Sequence, residues 1–415
     1  MAPVVGLARG SKVNNPDNFR RFHPQFNSIE IDGRGLNSEG RIRALMRCIR
    51  KVRPSIVLPM SLVEANDAGI RCKQQGDDLR LVIHAQGNLP AMLADLKYFR
   101  PGIDHVVCPG KLTRKLLTTW GGFPIERVTH IPNGADLATH TRQPGTDGTL
   151  RLGYIGRFTR EDKRVLDLVD LHRQLTDRRV RFSLTIVGDG PSKGVLLQAF
   201  KNQPNVSLPG PMSHDELYRD IFPKLDALVL CSVSEAFGIV LAEAMMNGVV
   251  PVTSRYLGYH SEQLVVHEET GLSFDVGDIS EAATQIQRLV TDRALLSAIS
   301  ARCRRNATSN YTWGRSMSGW QSLLQTIAAQ PATTVAADFT SRRSSAPGRL
   351  DALKVPNGLA DFLRRSRRSL LGSSVPPGGE EWPLFCRTYP EEVLREVTEH
   401  CRELDHPRLV SETPR

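Results

Sequence analysis

The sequence predicts an α/β protein with two parallel-sheet domains. Short apolar runs alternate with segments of helical periodicity in the first third of the chain. The same alternation restarts after a polar segment with Gly and Pro at 139–148. Strands separated by helices form parallel sheets with right-handed crossovers. A chain of 415 residues is also longer than the usual length of a domain with a single hydrophobic core, so we expect two domains and an appendage.

The first third contains both element types. A helix is predicted over 41–52, because Ile42, Leu45 and Ile49 recur on one face. Another helix begins near Leu112. Strands are predicted over 26–31, 55–59, 79–84 and 105–108.

The region after the polar segment repeats the alternation. Ligands of parallel sheets bind beyond the carboxyl ends of the strands, so the loops after Ile155, Val187 and Leu230 are expected at one edge. Strands are predicted over 152–155, 182–187, 206–208, 227–231, 249–253 and 271–274. Helices are predicted over 165–175, 196–200, 215–221, 279–290 and 294–307.

The composition changes again near residue 331. Ser, Pro, Gly and Arg dominate 332–348, which predicts a linker or a disordered segment. A basic cluster follows at 364–368, and 391–404 predicts a short amphipathic helix. We therefore expect three parts: an N-terminal domain, a second sheet domain, and a partly disordered linker with a C-terminal extension, over 1–140, 141–328 and 329–415.

The composition of the chain indicates the cellular compartment in which the protein is expected. The seven Cys are scattered without a C-x-x-C pair, which predicts free thiols in a reducing compartment and no zinc site. The chain has no run of 18 apolar residues and no N-terminal signal pattern, so a cytoplasmic protein is expected.

The net charge of +10 is concentrated at the start, where 1–140 holds 20 basic and 12 acidic residues. Such a domain attracts polyanions, which include acidic lipids, nucleic acid and anionic glycans. Solvated surface charge is the alternative. A basic amphipathic helix predicts peripheral contact with an anionic membrane, and a surface helix of an α/β domain is the competing interpretation. The basic residues beside the stripe at 41–52 are Arg41, Arg43, Arg47, Arg50, Lys51 and Arg53.

Two acids flank a glycine before an apolar helix. Glu235 and Glu243 are eight positions apart, with Gly238 between them. The free N–H groups of a helix start suit a phosphate, and carboxylates suit hydroxyl groups. The alternative is a pair of solvated acids, but apolar Leu241 and Ala242 beside Glu243 argue against full exposure.

A basic pair follows the first strand of the second domain. Arg157 and Lys163 lie one and seven positions after Gly156. A guanidinium grips a diphosphate bidentately and an ammonium adds a point charge, so the pair suits a leaving diphosphate. By itself the pair is also typical of surface charge. A second turn, Gly188-Asp189-Gly190, lets backbone approach a ligand closely.

Taken in order, these motifs resemble the GT-B glycosyltransferases of the retaining family 4 type (glycosyl transferases group 1), whose hallmark is E-x7-E. The resemblance covers roughly 80–325 and is strongest over 150–275. The segment Ile131–Asp136 is similar to the one preceding the second domain in that family. The resemblance implies two Rossmann-like domains facing a cleft, with an abbreviated N-terminal domain and a C-terminal extension.

The resemblance also implies roles for the catalytic set. Arg157 and Lys163 would hold the donor diphosphate, and Glu235 would contact hydroxyls of the transferred sugar. His84, at a strand end of the first domain, resembles a histidine placed near the reacting sugar, and a structural histidine is the alternative.

A donor-binding set is implied in the same way. Glu243 would bind the nucleotide ribose, and Met212 would lie near the base. Backbone groups of the remaining donor-binding residues would face the donor: Phe237, Gly238, Ile239, Gly156, Gly188 and Asp189.

The implied reaction is transfer of a sugar, with retention, from a nucleotide-diphosphate sugar to an unknown acceptor. No metal and no cofactor besides the donor are implied. Two alternatives stay open: an inactive nucleotide-sugar-binding or scaffold protein of glycan assembly, and a nucleic-acid-binding protein. No nucleic-acid partner is expected, because no such motif occurs and aromatic residues are few.

One departure from the family concerns the chain start. The family begins with a strand and a Gly-Gly loop, whereas Val4–Gly10 carries no such loop and no clear long helix after it. A truncated start and an abbreviated acceptor half both explain this.

Overall fold

The structure is a computed structural model, and its described residues fall into two compact units. The first unit groups Met1–Cys108, Arg114–Thr129 and Leu323–His400, and the second groups Pro109–Thr113, His130–Ser322 and Cys401–Arg415. The domain limits 140 and 328 stay predictions. The described residues are 3–9, 16–60, 62–138, 148–340, 349–371, 382, 386 and 389–405.

The first unit contains two parallel arrangements of strands. β1 pairs with β2, and a four-stranded sheet has the order β3-β4-β5-β6, in which β4 is parallel to β3 and β5. The strands are β1 (Val5–Arg9), β2 (Ser28–Asp32), β3 (Ile56–Val57), β4 (Arg80–His84), β5 (His105–Cys108) and β6 (Val128–His130). The helices are α1 (Pro16–Phe22), α2 (Ser38–Val52), α3 (Val63–Gln74), α4 (Pro90–Phe99) and α5 (Lys111–Thr119).

Helix α2 forms as predicted, whereas the spacing of apolar residues did not predict α3. The buried positions of α3 mix charged with apolar residues, Glu64 and Asp67 with Ile70 and Cys72, so no purely apolar stripe marks the helix. Glu64 accepts two hydrogen bonds from the Arg41 guanidinium of α2, at 2.6 and 2.7 Å. A buried bidentate ion pair thus replaces the apolar spacing from which a helix is predicted.

The membrane interpretation of α2 is corrected by its burial. Ile42, Leu45, Met46 and Ile49 lie in the core of the first unit, so the apolar stripe is not available to a lipid surface. Arg41 is itself buried in the pair with Glu64. Among the described residues, no helix is both long and apolar enough to cross a bilayer.

The second unit contains one six-stranded sheet of order β12-β11-β10-β7-β8-β9, with every neighbouring pair parallel. The strand order reverses direction between β7 and β10, so the ligand crevice of such a sheet lies beyond these two carboxyl ends. The strands are β7 (Leu150–Ile155), β8 (Phe182–Val187), β9 (Val206–Gly210), β10 (Ala227–Leu230), β11 (Val250–Ser254) and β12 (Leu272–Phe274).

The helices of this unit cover the sheet as the periodicity predicted, with one exception. The predicted helix over 215–221 is a single α-turn, His214–Glu216, followed by a π-turn, Leu217–Ile221. The single α-turn is α8 (His214–Glu216). The other helices are α6 (Asp167–Asp177), α7 (Lys193–Ala199), α9 (Ile239–Met246), α10 (Tyr259–Glu262), α11 (Ile279–Thr291) and α12 (Arg293–Asn310).

The described part of the chain continues through four more α-helices. They are α13 (Trp313–Ala329), α14 (Arg349–Ala352), α15 (Asn357–Leu371) and α16 (Glu391–Leu404). The predicted helix over 391–404 is confirmed, whereas α13 was not predicted. The first part of the predicted linker, 332–340, is described without a helix or strand, and 341–348 lies outside the described residues, as do 139–147. All seven cysteines are free thiols.

Candidate functional site

The loops that follow β7 and β10 meet at the carboxyl edge of the second sheet. Lys163 donates from Nζ to Glu235 Oε1 at 2.5 Å. The Ser232 hydroxyl donates to the same oxygen at 2.6 Å. Both members of the ion pair are largely buried, with side chains 17% and 12% exposed. The switch point of the sheet therefore holds a shielded ammonium–carboxylate pair.

Arg157 has different surroundings from Lys163. Its side chain is 70% exposed and pairs with Asp162 at 2.8 Å. Its carbonyl oxygen accepts a hydrogen bond from the Tyr154 hydroxyl at 2.9 Å, which ties the loop to β7. The two predicted cations thus differ in solvent exposure: Lys163 is largely buried against Glu235, and Arg157 is open to solvent.

The glycine turn after β8 packs directly on the loop after β7. The Phe158 N–H donates to the Asp189 carbonyl at 2.8 Å. Gly188 has φ 144°, and a Cβ there would lie 1.9 Å from the Gly156 carbonyl oxygen. A side chain is therefore excluded by backbone atoms. Asp189 is exposed and accepts from the Gly190 N–H at 2.8 Å, which lowers the pKa of its carboxyl.

Helix α9 begins at the glycine that the sequence singled out. Gly238 adopts the left-handed conformation, with φ 78°, as the residue before the first turn. It carries no side chain that could cap that turn, so the first N–H groups of α9 suit an anion. Phe237 is buried edge-on against Tyr311, with ring centroids 5.5 Å apart, and Ile239 is exposed. The apolar anchor fixes where the helix start lies.

Glu243 is buried beside a histidine that the sequence did not single out. Its Oε1 lies 3.4 Å from Nε2 of His214, and the same nitrogen lies 3.5 Å from the Asp136 carboxylate. Burial raises the pKa of Glu243 to about 7; His214 opposes this increase and Asp136 adds to it. The prediction that Glu243 is not fully exposed is confirmed, because its side chain is 13% exposed.

Tyr218 fixes the histidine in place. Its ring lies against His214 with centroids 4.5 Å apart, and its hydroxyl donates to the Asp136 carbonyl at 3.1 Å. Met212, two residues before His214, is partly buried against the core of the second unit. The sequence could have pointed to these two residues through their neighbours along the chain. His214 shares the loop of Met212, and Asp136 ends the segment Ile131–Asp136.

The loop after β11 connects the site to the end of the described chain. The Leu257 N–H donates to the Val233 carbonyl at 2.8 Å, and the Glu235 N–H donates to the Leu257 carbonyl at 3.3 Å. Asp405 then accepts from the N–H groups of Gly258 and Ser261, at 2.7 and 2.8 Å. A buried carboxylate after α16 thus holds the loop that pairs with the Glu235 segment.

His84 lies in the first unit at the end of β4, the strand position that the sequence predicted. The ring is mostly buried, and burial lowers the pKa of the imidazole. Its Nδ1 lies 3.2 Å from the Gln86 side-chain amide. A neutral ring at neutral pH follows. Within the described ranges, no three His, Cys, Asp or Glu side chains are grouped so that they could hold a metal ion.

The region that carries these loops matches a known family. Residues 139–309 match the model of the family described as glycosyl transferases group 1. The chain contains a glycosyl transferases group 1 domain. Every predicted site residue except His84 lies inside the matched range, including Arg157, Lys163, Glu235 and Glu243.

Relatives of the group 1 domain are glycosyltransferases by name. A glycogen synthase of Mycobacterium tuberculosis is 29% identical over 214 residues, which are 50% of each chain. The N-acetyl-alpha-D-glucosaminyl L-malate synthase of Bacillus anthracis is 28% identical over 170 residues, which are 41% of this chain and 44% of that one. The matched stretch thus spans about half the length of the relatives.

Solved structures show the same fold over more of the chain. The Anabaena protein Alr3699/HepE, crystallised in complex with UDP and glucose, aligns with a TM-score of 0.65 at 17% identity. The alignment covers 79% of this chain and 92% of that one. With its two parallel-sheet units, the protein has the GT-B fold.

Proposed function

We propose that the protein transfers a sugar from a nucleoside-diphosphate sugar to an acceptor, with retention of the anomeric configuration and without a required metal. The observation that carries this proposal is the buried pair of Lys163 and Glu235 at the switch point of the second sheet. The start of α9 and the buried Glu243 follow on the same segment. The relatives of the group 1 domain support the class of reaction.

In this proposal the donor diphosphate lies at the start of α9. The N–H groups of the first turn and the Lys163 ammonium neutralise the charge that develops on the leaving diphosphate. The exposed Arg157 guanidinium pairs with the surface carboxylate of Asp162, and it reaches the diphosphate by exchanging Asp162 for phosphate oxygens. The leaving diphosphate deprotonates the acceptor.

The two acids bind opposite ends of the donor. Glu235 accepts hydrogen bonds from hydroxyls of the transferred sugar while it keeps the ion pair with Lys163. Glu243 accepts from the ribose hydroxyls, and the base lies near Met212. Glycines 156 and 188, with Asp189, let the backbone approach the donor. His84 is proposed to lie near the reacting sugar as a neutral hydrogen-bonding group.

The proposal is tested with a panel of UDP-, GDP- and ADP-sugars. Purified full-length protein is expected to melt at a higher temperature with one donor class, because a ligand that binds the folded state stabilises it. With that donor, release of the nucleoside diphosphate in the presence of EDTA measures turnover. Proton NMR of the product reports the anomeric configuration.

Glu235→Gln is the diagnostic variant, because it keeps the shape and removes the charge that faces Lys163. We expect it to abolish turnover, while Glu268→Gln, an exposed glutamate of the same unit, keeps wild-type turnover. Donor binding without turnover in the wild type would instead support an inactive nucleotide-sugar-binding protein. Absence of any stabilisation by the whole panel would contradict the proposal.

A further inference from the structure

Helix α15 exposes an apolar stripe along one side. Leu359, Phe362, Leu363 and Leu370 are 52%, 65%, 43% and 83% exposed. Their spacing of i, i+3, i+4 and i+11 places all four side chains on one side of an α-helix. Scattered single apolar residues on a surface are ordinary, whereas a stripe of four large ones along one helix is not.

The opposite side of α15 is already packed in the first unit. Ala360 is fully buried. Asp361 accepts from the Arg43 guanidinium of α2 at 2.7 Å and from Arg364 at 3.3 Å. The helix is therefore held on α2 by its polar side, and its apolar side faces outward.

Basic residues border this apolar stripe. Arg365 and Arg367 are exposed, and successive rotations of 100° per residue place them on the two flanks of the stripe. The segment 341–371 contains eight basic and two acidic residues. A helix with an apolar face and an excess of arginine around it is typical of elements that lie in the interface of an anionic bilayer.

We propose that α15 docks on the surface of an anionic membrane, with Phe362 and Leu370 inserted below the headgroups and the arginines on the lipid phosphates. The charge complementarity between the flanks and acidic headgroups favours this partner over a second copy of the chain, which would bring two basic helices together. It also favours a membrane over nucleic acid, because nucleic acid offers no apolar surface for the stripe. Membrane contact is thereby assigned to α15 rather than to α2.

Flotation of the full-length protein with lipid vesicles tests this assignment. We expect binding to vesicles of mixed phosphatidylglycerol and phosphatidylcholine, weaker binding as salt increases, and little binding to phosphatidylcholine alone. Phe362→Ser/Leu370→Ser is expected to lower the partition coefficient by about tenfold or more. Arg365→Gln/Arg367→Gln should weaken binding to anionic vesicles and reduce its salt dependence.

Matched controls separate the stripe from general surface effects. Ile125→Ser/Met317→Ser removes two apolar side chains of similar exposure elsewhere and should bind like the wild type. The serine variant could lose binding because α15 unfolds, so a second variant keeps a large apolar side chain at position 362. The fluorescence of Phe362→Trp should shift to shorter wavelength, relative to wild type, when anionic vesicles are added.

Several outcomes would overturn the proposal. They are equal binding of the wild type to neutral and anionic vesicles, unchanged binding of Phe362→Ser/Leu370→Ser, and no spectral shift of Phe362→Trp. Loss of a dimer in that serine variant without vesicle binding by the wild type would assign the stripe to a second copy. Binding to RNA or DNA that depends on Arg365 and Arg367 but not on Phe362, again without vesicle binding, would assign the surface to nucleic acid.

Discussion

The Lys163 ammonium lies 2.5 Å from the Glu235 carboxylate, and both groups are largely shielded from water. Neither can be removed without leaving the other partly buried and unbalanced, which costs stability. The same two groups carry the proposed chemistry. Structural and chemical effects of substitutions here must therefore be separated by paired variants.

Lys163→Met should lower kcat/KM by about 100- to 1000-fold, because the cation proposed to stabilise the leaving diphosphate is lost. It should also lower the free energy of unfolding by about 1–3 kcal/mol, because the largely buried Glu235 loses its ion-pair partner. Denaturant unfolding and steady-state kinetics measure the two effects. Lys163→Met/Glu235→Gln should regain most of the stability and none of the activity; recovered activity would refute the role of the pair.

Donor affinity should rise with pH through neutrality. Burial raises the pKa of Glu243 to about 7 from its ordinary value of 4.5, so the folded protein holds this proton more tightly than the unfolded chain. The stability that this proton adds is complete below 4.5 and is lost as pH rises through 7. In the proposed site the ribose hydroxyls donate to the ionised carboxylate, so affinity should increase about tenfold between about pH 6 and 8.

Two variants and titration calorimetry with the nucleoside diphosphate check this dependence. Glu243→Gln should bind weakly at every pH, because it cannot ionise. His214→Asn removes the group that lowers the pKa of Glu243, so the rise should move to higher pH. Glu268→Gln serves as control and should keep the wild-type profile. A rise in affinity that survives in Glu243→Gln would show that another group titrates.

Gly188→Ala should destabilise the protein by about 2–4 kcal/mol, because backbone atoms cannot move aside cheaply for its methyl group. That methyl group would lie 1.9 Å from the Gly156 carbonyl oxygen, at a φ of 144°. Gly194→Ala is the matched control: nothing lies within 4 Å of its Cβ, and it sits in α7. The control should be neutral or slightly stabilising by thermal unfolding. Equal melting temperatures for the two variants would contradict the clash.

Asp405→Ala should lower the free energy of unfolding by about 2–4 kcal/mol, because two backbone donors lose a charged acceptor. Asp405→Asn keeps one acceptor oxygen and should lose less. Both should raise the donor KM, because the loop that Asp405 holds pairs through Leu257 with the Glu235 backbone. Glu403→Gln, an exposed neighbour on α16, should match wild type in melting temperature and KM. An unchanged KM in Asp405→Ala would limit the residue to stability.

Much of the second unit could be predicted from local spacing. Strand β8 begins and ends at the predicted residues, and α9 starts at the predicted glycine. Helix α3 was missed because a buried ion pair, Arg41 with Glu64, occupies positions where periodicity expects apolar side chains. His214 was missed because a shared loop with Met212 is a weak signal, and no local pattern predicts that the Glu243 carboxylate lies across from its ring.

The alternation of strands and helices and the order of the motifs, from Gly156 through Glu235 to Glu243, could be predicted from the sequence alone. These features depend on neighbours along the chain. Folding of the whole domain brings Lys163 to Glu235, which is 72 positions away, and His214 to Glu243. It also decided which amphipathic helix is covered: α2 is buried and α15 is exposed. Periodicity reveals an apolar face, whereas packing determines what lies against that face.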